Sequence, residues 1–277
     1  MYRQYKILFL ALPAFAVLVI FFLLPLASVL ADPFLDKGDA FFNLWHDPLF
    51  LRGLQGSTLL SLTAGFISVV VGIPVALRIS VMGESRRLLV MFCISLPLTF
   101  SGLIVAYGFI LCFGRAGFVT LLLANVGVSP EWLSSMVYSP VGLALAYCYY
   151  LIPRVVLLLL PALTNFDRKL LLAATSMGAG RIRAFFDILM PELLPTVGVA
   201  FCLVAAVAFG AYGTALALVG SQVNILPLLL YSSISDTGTN FSQAASISLV
   251  LLGACSFIMG IAEVITIRRE RFLRIGH

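Results

Sequence analysis

The chain has 277 residues, of which 61% are hydrophobic and 10% charged, and its mean hydropathy is +1.10. That composition excludes a soluble globular domain and a disordered chain, because the apolar residues fall in blocks long enough to cross a bilayer, about 20 helical residues each. The net charge of +5 reflects topology and is not a nucleic-acid footprint, and with only two histidines no metal site is expected.

Six apolar blocks are read at about 7–30, 57–82, 88–112, 139–163, 196–219 and 243–267. They are continuous runs without period-2 alternation, which selects helices over a closed barrel as the way to satisfy backbone polar groups in hydrocarbon. The expected fold is all-α: one polytopic membrane domain of six transmembrane helices spanning residues 1–277. Block 1 follows Arg3 and Lys6 as a signal peptide would, but its run of about 24 residues exceeds a signal h-region, so it is kept as helix 1. Residues 31–56 carry Asp-Pro and Lys-Gly turn signals with Phe41, Phe42 and Trp45, and predict an amphipathic segment at the membrane interface. Helix 3 contains Pro97 and the small-polar patch Thr99-Phe100-Ser101-Gly102, and the apolar stretch 118–124 that follows is too brief to span. Helix 4 runs through Pro153-Arg154 to Pro161, helix 5 is rich in small residues, and residues 220–242 lead to helix 6. The five cysteines lie in or at the ends of these spans with no CxxC pair, as small buried hydrophobes do.

Charge orients the spans. With both termini cytoplasmic, Arg3, Lys6, Arg78, Arg86, Arg87, Arg168, Lys169, Arg181, Arg183, Arg268, Arg269, Arg271 and Arg274 fall inside, against Lys37, Arg52 and Arg115 outside. That asymmetry follows the positive-inside rule. Arg154 is left within a span, where an ionisable group is costly and points to function by default; pairing within the protein or anchoring of the following loop is expected of it ahead of substrate contact. Glu263 can snorkel to the interface or pair with Arg268 or Arg269.

The polar, basic interruption at 164–195 is the most informative stretch. Thr164 or Asn165 can cap a helix with Asp167 in its first turn, and residues 167–177 read as one short helix ending at Gly178. From Arg181 a helical pattern resumes with Ile182, Phe185, Phe186 and Leu189 on one face, until Pro191 stops or kinks it and Pro195 precedes the next span. Two short helices hinged on glycine would project from the membrane, with Ala173, Ala174, Gly178 and Ala179 allowing close backbone approach by a partner.

Ala173-Ala174, then Gly178, then Ile188-Leu189-Met190-Pro191 and Pro195, placed between helices 4 and 5, resemble the cytoplasmic coupling loop of permease subunits in type I bacterial ABC importers. The resemblance covers roughly residues 50–267. It implies a non-enzymatic transport pathway in the bacterial cytoplasmic membrane, with Ala173, Ala174, Gly178, Ala179, Phe185, Ile188, Pro191 and Pro195 docking into a separate ATPase. The family usually has glutamate at the position of Leu172, so either docking here relies on backbone and apolar contacts or a paired permease retains the acid. The resemblance further implies two ATPase copies that bind the ATP and Mg, no cofactor in this chain, a substrate-binding protein, and a second related permease, as a heterodimer ahead of a homodimer.

For the pathway, polar or aromatic positions within apolar spans are the candidates: Phe209, Tyr212 and Thr214 in helix 5, Tyr107 in helix 3 and Tyr147 in helix 4. Each has a packing reading beside it, since small residues bring helices together and buried tyrosines find local partners. The segment FGAYGTALALVG, followed by NILPLLLYSSI, is most similar to the polyamine/opine/phosphonate group. The expected cargo is therefore a small polar solute, polyamine-like or phosphonate-like, with ferric iron or a sulfate-type anion as alternatives within the class. A secondary carrier with no ATPase is the reading from outside it.

Overall fold

The computed structural model describes residues 13, 15–35, 39–125, 127, 129–235 and 241–275. These residues form helices and turns, with no strand among them. A π-helical turn, Val19–Leu23, leads into α1 (Leu24–Leu35), and the short α2 (Asp39–Leu44) precedes the long α3 (Pro48–Ser80). There follow α4 (Glu84–Thr99), α5 (Gly102–Phe113), α6 (Phe118–Ala124), α7 (Pro130–Val137) and α8 (Pro140–Asn165). The second half holds α9 (Lys169–Ser176), α10 (Arg181–Ala184), a π turn at Phe185–Leu189, α11 (Met190–Phe209), α12 (Gly213–Leu218), α13 (Leu226–Ser235) and α14 (Phe241–Ile275). Among the described residues six stretches are long and apolar enough to cross a membrane: Phe15–Phe34, Pro48–Ser80, Gly102–Ala124, Pro140–Asn165, Ile182–Phe209 and Phe241–Ile267.

The bounds differ from the hydropathy reading in most blocks, and three of the differences bear on the site. Helix α3 begins at Pro48, nine residues before the block read at 57, because Asp47 caps it by accepting the Leu49 N–H at 2.9 Å and proline suits the first turn. The block read at 88–112 is two helices separated at Phe100 and Ser101, since Pro97 ahead of the break supplies no N–H and the Ser101 side chain caps the next helix. The block read at 196–219 ends early at Phe209, and Gly210–Tyr212 run outside any helix before α12 resumes. Proline does not always end a helix here. Pro153 and Pro161 lie inside α8 and Pro195 inside α11, and both helices run on through them.

The centre is a trio of α3, α8 and α11, with α14 against α11 and α1 against α14. Along α3 small buried residues recur at helical spacing, Ser57, Ser61, Ala64, Gly65, Ser68, Gly72 and Ala76, among larger ones such as Leu60 and Val69. In hydrocarbon the burial of apolar surface gives no drive to pack helices, so close backbone approach through small residues takes its place. Gly72 lies against α8, where an added Cβ would come 2.6 Å from Val155 Cγ1. The serines of the stripe cost little because each finds a partner: Ser61 and Ser68 donate within the helix, Ser68 to the Ala64 carbonyl at 2.6 Å, and Ser57 accepts the Leu226 N–H at 2.9 Å. Opposite the stripe, Leu143, Tyr147, Leu151, Val155, Val156 and Leu159 of α8 are fully buried.

Candidate functional site

The loop between α8 and α11 is built by local chemistry. The Asp167 carboxylate accepts the Lys169 N–H at 2.9 Å, so the cap comes from Asp167, while the Thr164 hydroxyl, expected as a cap, donates back into α8 to the Leu160 carbonyl at 3.0 Å. At the other end of α9, Gly178 has φ +88°, its N–H reaches the Thr175 carbonyl and the Ala179 N–H reaches that of Ala174, both at 3.0 Å. This paired 5→2 and 6→1 closure is a Schellman motif, which glycine enters without the Cβ penalty of the left-handed region. Gly180 then accepts the Ala184 N–H at 2.9 Å and starts α10.

The two arms present different faces. Ala174, Ala184 and Leu189 are buried, Phe185 and Ile188 are half-buried, and Phe185 packs against the main core. Ala173 and Gly178 are exposed and Ala179 is half-buried. Around them stand Leu172 at 65%, Met177 at 83%, Ile182 at 77% and Phe186 at 59% exposure. The stripe read as one face therefore divides into two i,i+4 rows: Phe185 and Leu189 turn inward, Ile182 and Phe186 outward. Pro191 is exposed and Pro195 half-buried. Pro191 does not stop the helix. Its ring would crowd the carbonyl four residues back, at Asp187, and the π turn relieves this by widening the ladder, the Met190 N–H reaching the Phe185 carbonyl. The Arg183–Asp187 pair at 3.3 Å is solvent-facing on both sides and adds little stability.

Beside this packing, a hydrogen bond fastens the loop to the bundle. The Arg168 guanidinium donates to the Ser80 carbonyl, the last of α3, at 2.9 Å. A cation there satisfies an orphan carbonyl and complements the negative end of the helix dipole. Sequence reasoning gave an anchoring role to Arg154 and none to Arg168. In the structure Arg154 is the fifteenth of the 26 residues of α8, about 21 Å along it, and among the described residues no hydrogen bond or ion pair joins it to the loop.

Arg154 instead lines a cavity of about 200 Å³ where the two helix breaks meet. The α4–α5 break supplies Pro97, Phe100 and Gly102, and the α11–α12 break supplies Ala211, Tyr212, Gly213 and Thr214, with Tyr150 and Arg154 from α8 between them. Gly102 and Gly213 let the breaks close on each other. A Cβ on Gly102 would collide with the Thr214 hydroxyl, and one on Gly213 would lie 3.4 Å from the Leu103 nitrogen. The Tyr147 hydroxyl donates to the Ala211 carbonyl at 2.8 Å, covering an acceptor the break leaves free.

The residues singled out as pathway candidates are thus only partly brought together. Tyr212 and Thr214 line the cavity, Thr214 being 1% exposed, and Tyr147 is fully buried behind it. Phe209 is buried in a separate apolar cluster with Leu44, Phe50, Leu226 and Ile247. Tyr107 is 55% exposed on α5 and lies outside the cavity. Glu263 is exposed, and the side chains of Arg268 and Arg269 offered as its partners lie outside the described residues. Among the described residues no three His, Cys, Asp or Glu side chains gather as a metal site would need.

Residues 68–269 match the protein family described as binding-protein-dependent transport system inner membrane component. The spermidine/putrescine transport system permease protein PotB of Haemophilus influenzae is 28% identical over 252 residues, covering 87% of each chain. The protein of the same name from Escherichia coli K12 is 26% identical over 268 residues, covering 92% of this chain and 94% of that one. In the crystal structure of a bacterial alginate ABC transporter in complex with an alginate pentasaccharide-bound periplasmic protein, one chain shares the fold. Its TM-score is 0.75 at 19% identity, over 96% of both chains.

Proposed function

Because the chain belongs to the binding-protein-dependent transport system inner membrane component family, we propose that its loop at 164–195 receives the stroke of an ATPase and that its helix breaks form the solute path. It is a multi-pass inner-membrane permease subunit of an ABC importer, whose class works with a separate ATPase subunit and a substrate-binding protein. That membership displaces the secondary-carrier reading.

The observation that carries the coupling role is the exposed apolar knuckle of Leu172, Met177, Ile182 and Phe186 around a Schellman-locked Gly178. Large apolar side chains held in water on a rigid polar loop fit a partner surface. Leu172, at the position of the family's usual glutamate, joins that patch, so docking uses apolar contact. The knuckle lies on the cytoplasmic side together with both termini, two ATPase copies dock on the assembled importer, and a second related permease completes the path. Movement of the loop reaches the breaks through α8, α11 and the Arg168–Ser80 link.

The cargo is a small polar solute. The names of the relatives support a polyamine-like one. A second reading, a phosphonate-like solute, is favoured by the guanidinium of Arg154 on the cavity wall. The coupling role is tested by tagging the chain, extracting it from native membranes in mild detergent and counting co-purified subunits by mass spectrometry. Wild type is expected to bring down an ATPase, and Gly178→Asp, which sets a charge within the apolar knuckle, is expected to lose most of it. A wild-type sample without any ATPase contradicts the proposal.

A further inference from the structure

We infer that the cavity between the helix breaks is an oxyanion site and that Arg154 holds a carboxylate, phosphonate or phosphate group of the transported solute. The inference rests on the importer reading above and chooses between its two cargo classes.

Arg154 lies near the middle of a membrane-crossing helix, where a lone cation is costly and is retained for a partner or a task. Among the described residues it has neither an ion pair nor a hydrogen bond. Its guanidinium stands over the Tyr150 ring, whose centroid lies 6.0 Å from its Cζ. Stacking on a ring face leaves the five N–H donors of the guanidinium free, and their fork matches a two-oxygen acceptor. Tyr212 and Thr214 also line the cavity, and no carboxylate does. A positive fork on a wall without an acid attracts an oxyanion and repels an amine. A simple polyamine has nothing to offer this wall, whereas an amino acid, phosphonate or other solute with an acidic head does.

The site also stands where a transport stroke would open it. It is made from three elements, α4–α5, α8 and α11–α12, and two of them are interrupted at the cavity itself. Bending at Phe100–Ser101 and Gly210–Tyr212 changes the distance between Thr214 and Arg154 without unpacking the α3–α8 seam.

The test uses the intact importer in nanodiscs, in phosphate-free buffer, with methylphosphonate as probe and methylammonium at equal ionic strength as control. Phenylglyoxal labelling of Arg154 is followed by peptide mass spectrometry. The guanidinium is expected to react without the anion and to react roughly tenfold more slowly when methylphosphonate is about ten times its Kd, with no effect of methylammonium. Methylphosphonate is also expected to raise the Tm of wild type and not that of Arg154→Gln. Equal labelling with and without methylphosphonate overturns the inference. So does an Arg154 that never reacts, since a partner's acid then occupies it, and so does protection that follows the acidic lipid content of the nanodisc. Loss of the ATPase from the same preparation is read separately and counts against the importer reading, not against the oxyanion site.

Discussion

Gly178 is the residue at which local stereochemistry and docking meet. Its φ of +88° lies where L side chains cost about 1–2 kcal/mol, yet an added Cβ would find nothing within 4 Å. Any cost of a neutral side chain there is therefore conformational on the loop's own account, and residues should rank by their tolerance of the left-handed region. Asn is expected to keep near-wild-type ATPase recovery, Ala to lose a few-fold, and the β-branched Val to lose most of it, measured as ATPase-to-permease ratio after purification. Equal recovery for all three would mean that the loop is not docked in this conformation. The position of Gly178 was legible, because a glycine after a short helix is a stop signal in any sequence. The anchor Arg168 was not legible, because its partner is a backbone carbonyl 88 residues away that no local pattern marks.

At the scale of elements, hydropathy located the membrane-crossing blocks but not their breaks. A window average over 88–112 cannot register the interruption that Pro97 and Ser101 make between two helices, although the small-polar patch at 99–102 was the visible sign. The same holds at Gly210–Tyr212, where apolar content stays high while the helix ladder stops. The small-residue stripe of α3 was also in plain view at its 3–4 residue spacing, and its meaning came only with α8 beside it. It carries a prediction. Gly72→Leu forces a side chain into Val155 of α8, whose atoms already lie 2.6 and 2.9 Å from a bare Cβ. Overpacking of this kind costs about 1–3 kcal/mol, so the detergent-solubilised protein should unfold at a clearly lower temperature. Gly253→Leu, at an exposed position inside α14 with open space around it, is the control and should not lower the melting temperature. A Gly72→Leu protein that melts with wild type would show that α3 and α8 do not meet at this seam.

At the scale of the whole molecule, the loop and the cavity are two ends of one lever. The knuckle at 172–186 is joined to α11 through the π turn and to α3 through Arg168, and α11 ends at the break that lines the cavity. The central claim is that the knuckle is the surface the ATPase pushes. Its most direct test is site-directed crosslinking in the assembled importer, with single cysteines at Met177, at Ile182 and, as the far-side control, at Trp132 of α7, all large exposed side chains. Each is paired with a short bifunctional reagent and scored by mass spectrometry. The account predicts ATPase crosslinks from Met177→Cys and Ile182→Cys and none from Trp132→Cys. ATPase crosslinks from Trp132→Cys with none from the knuckle would contradict both the docking surface and the orientation of the chain in the membrane.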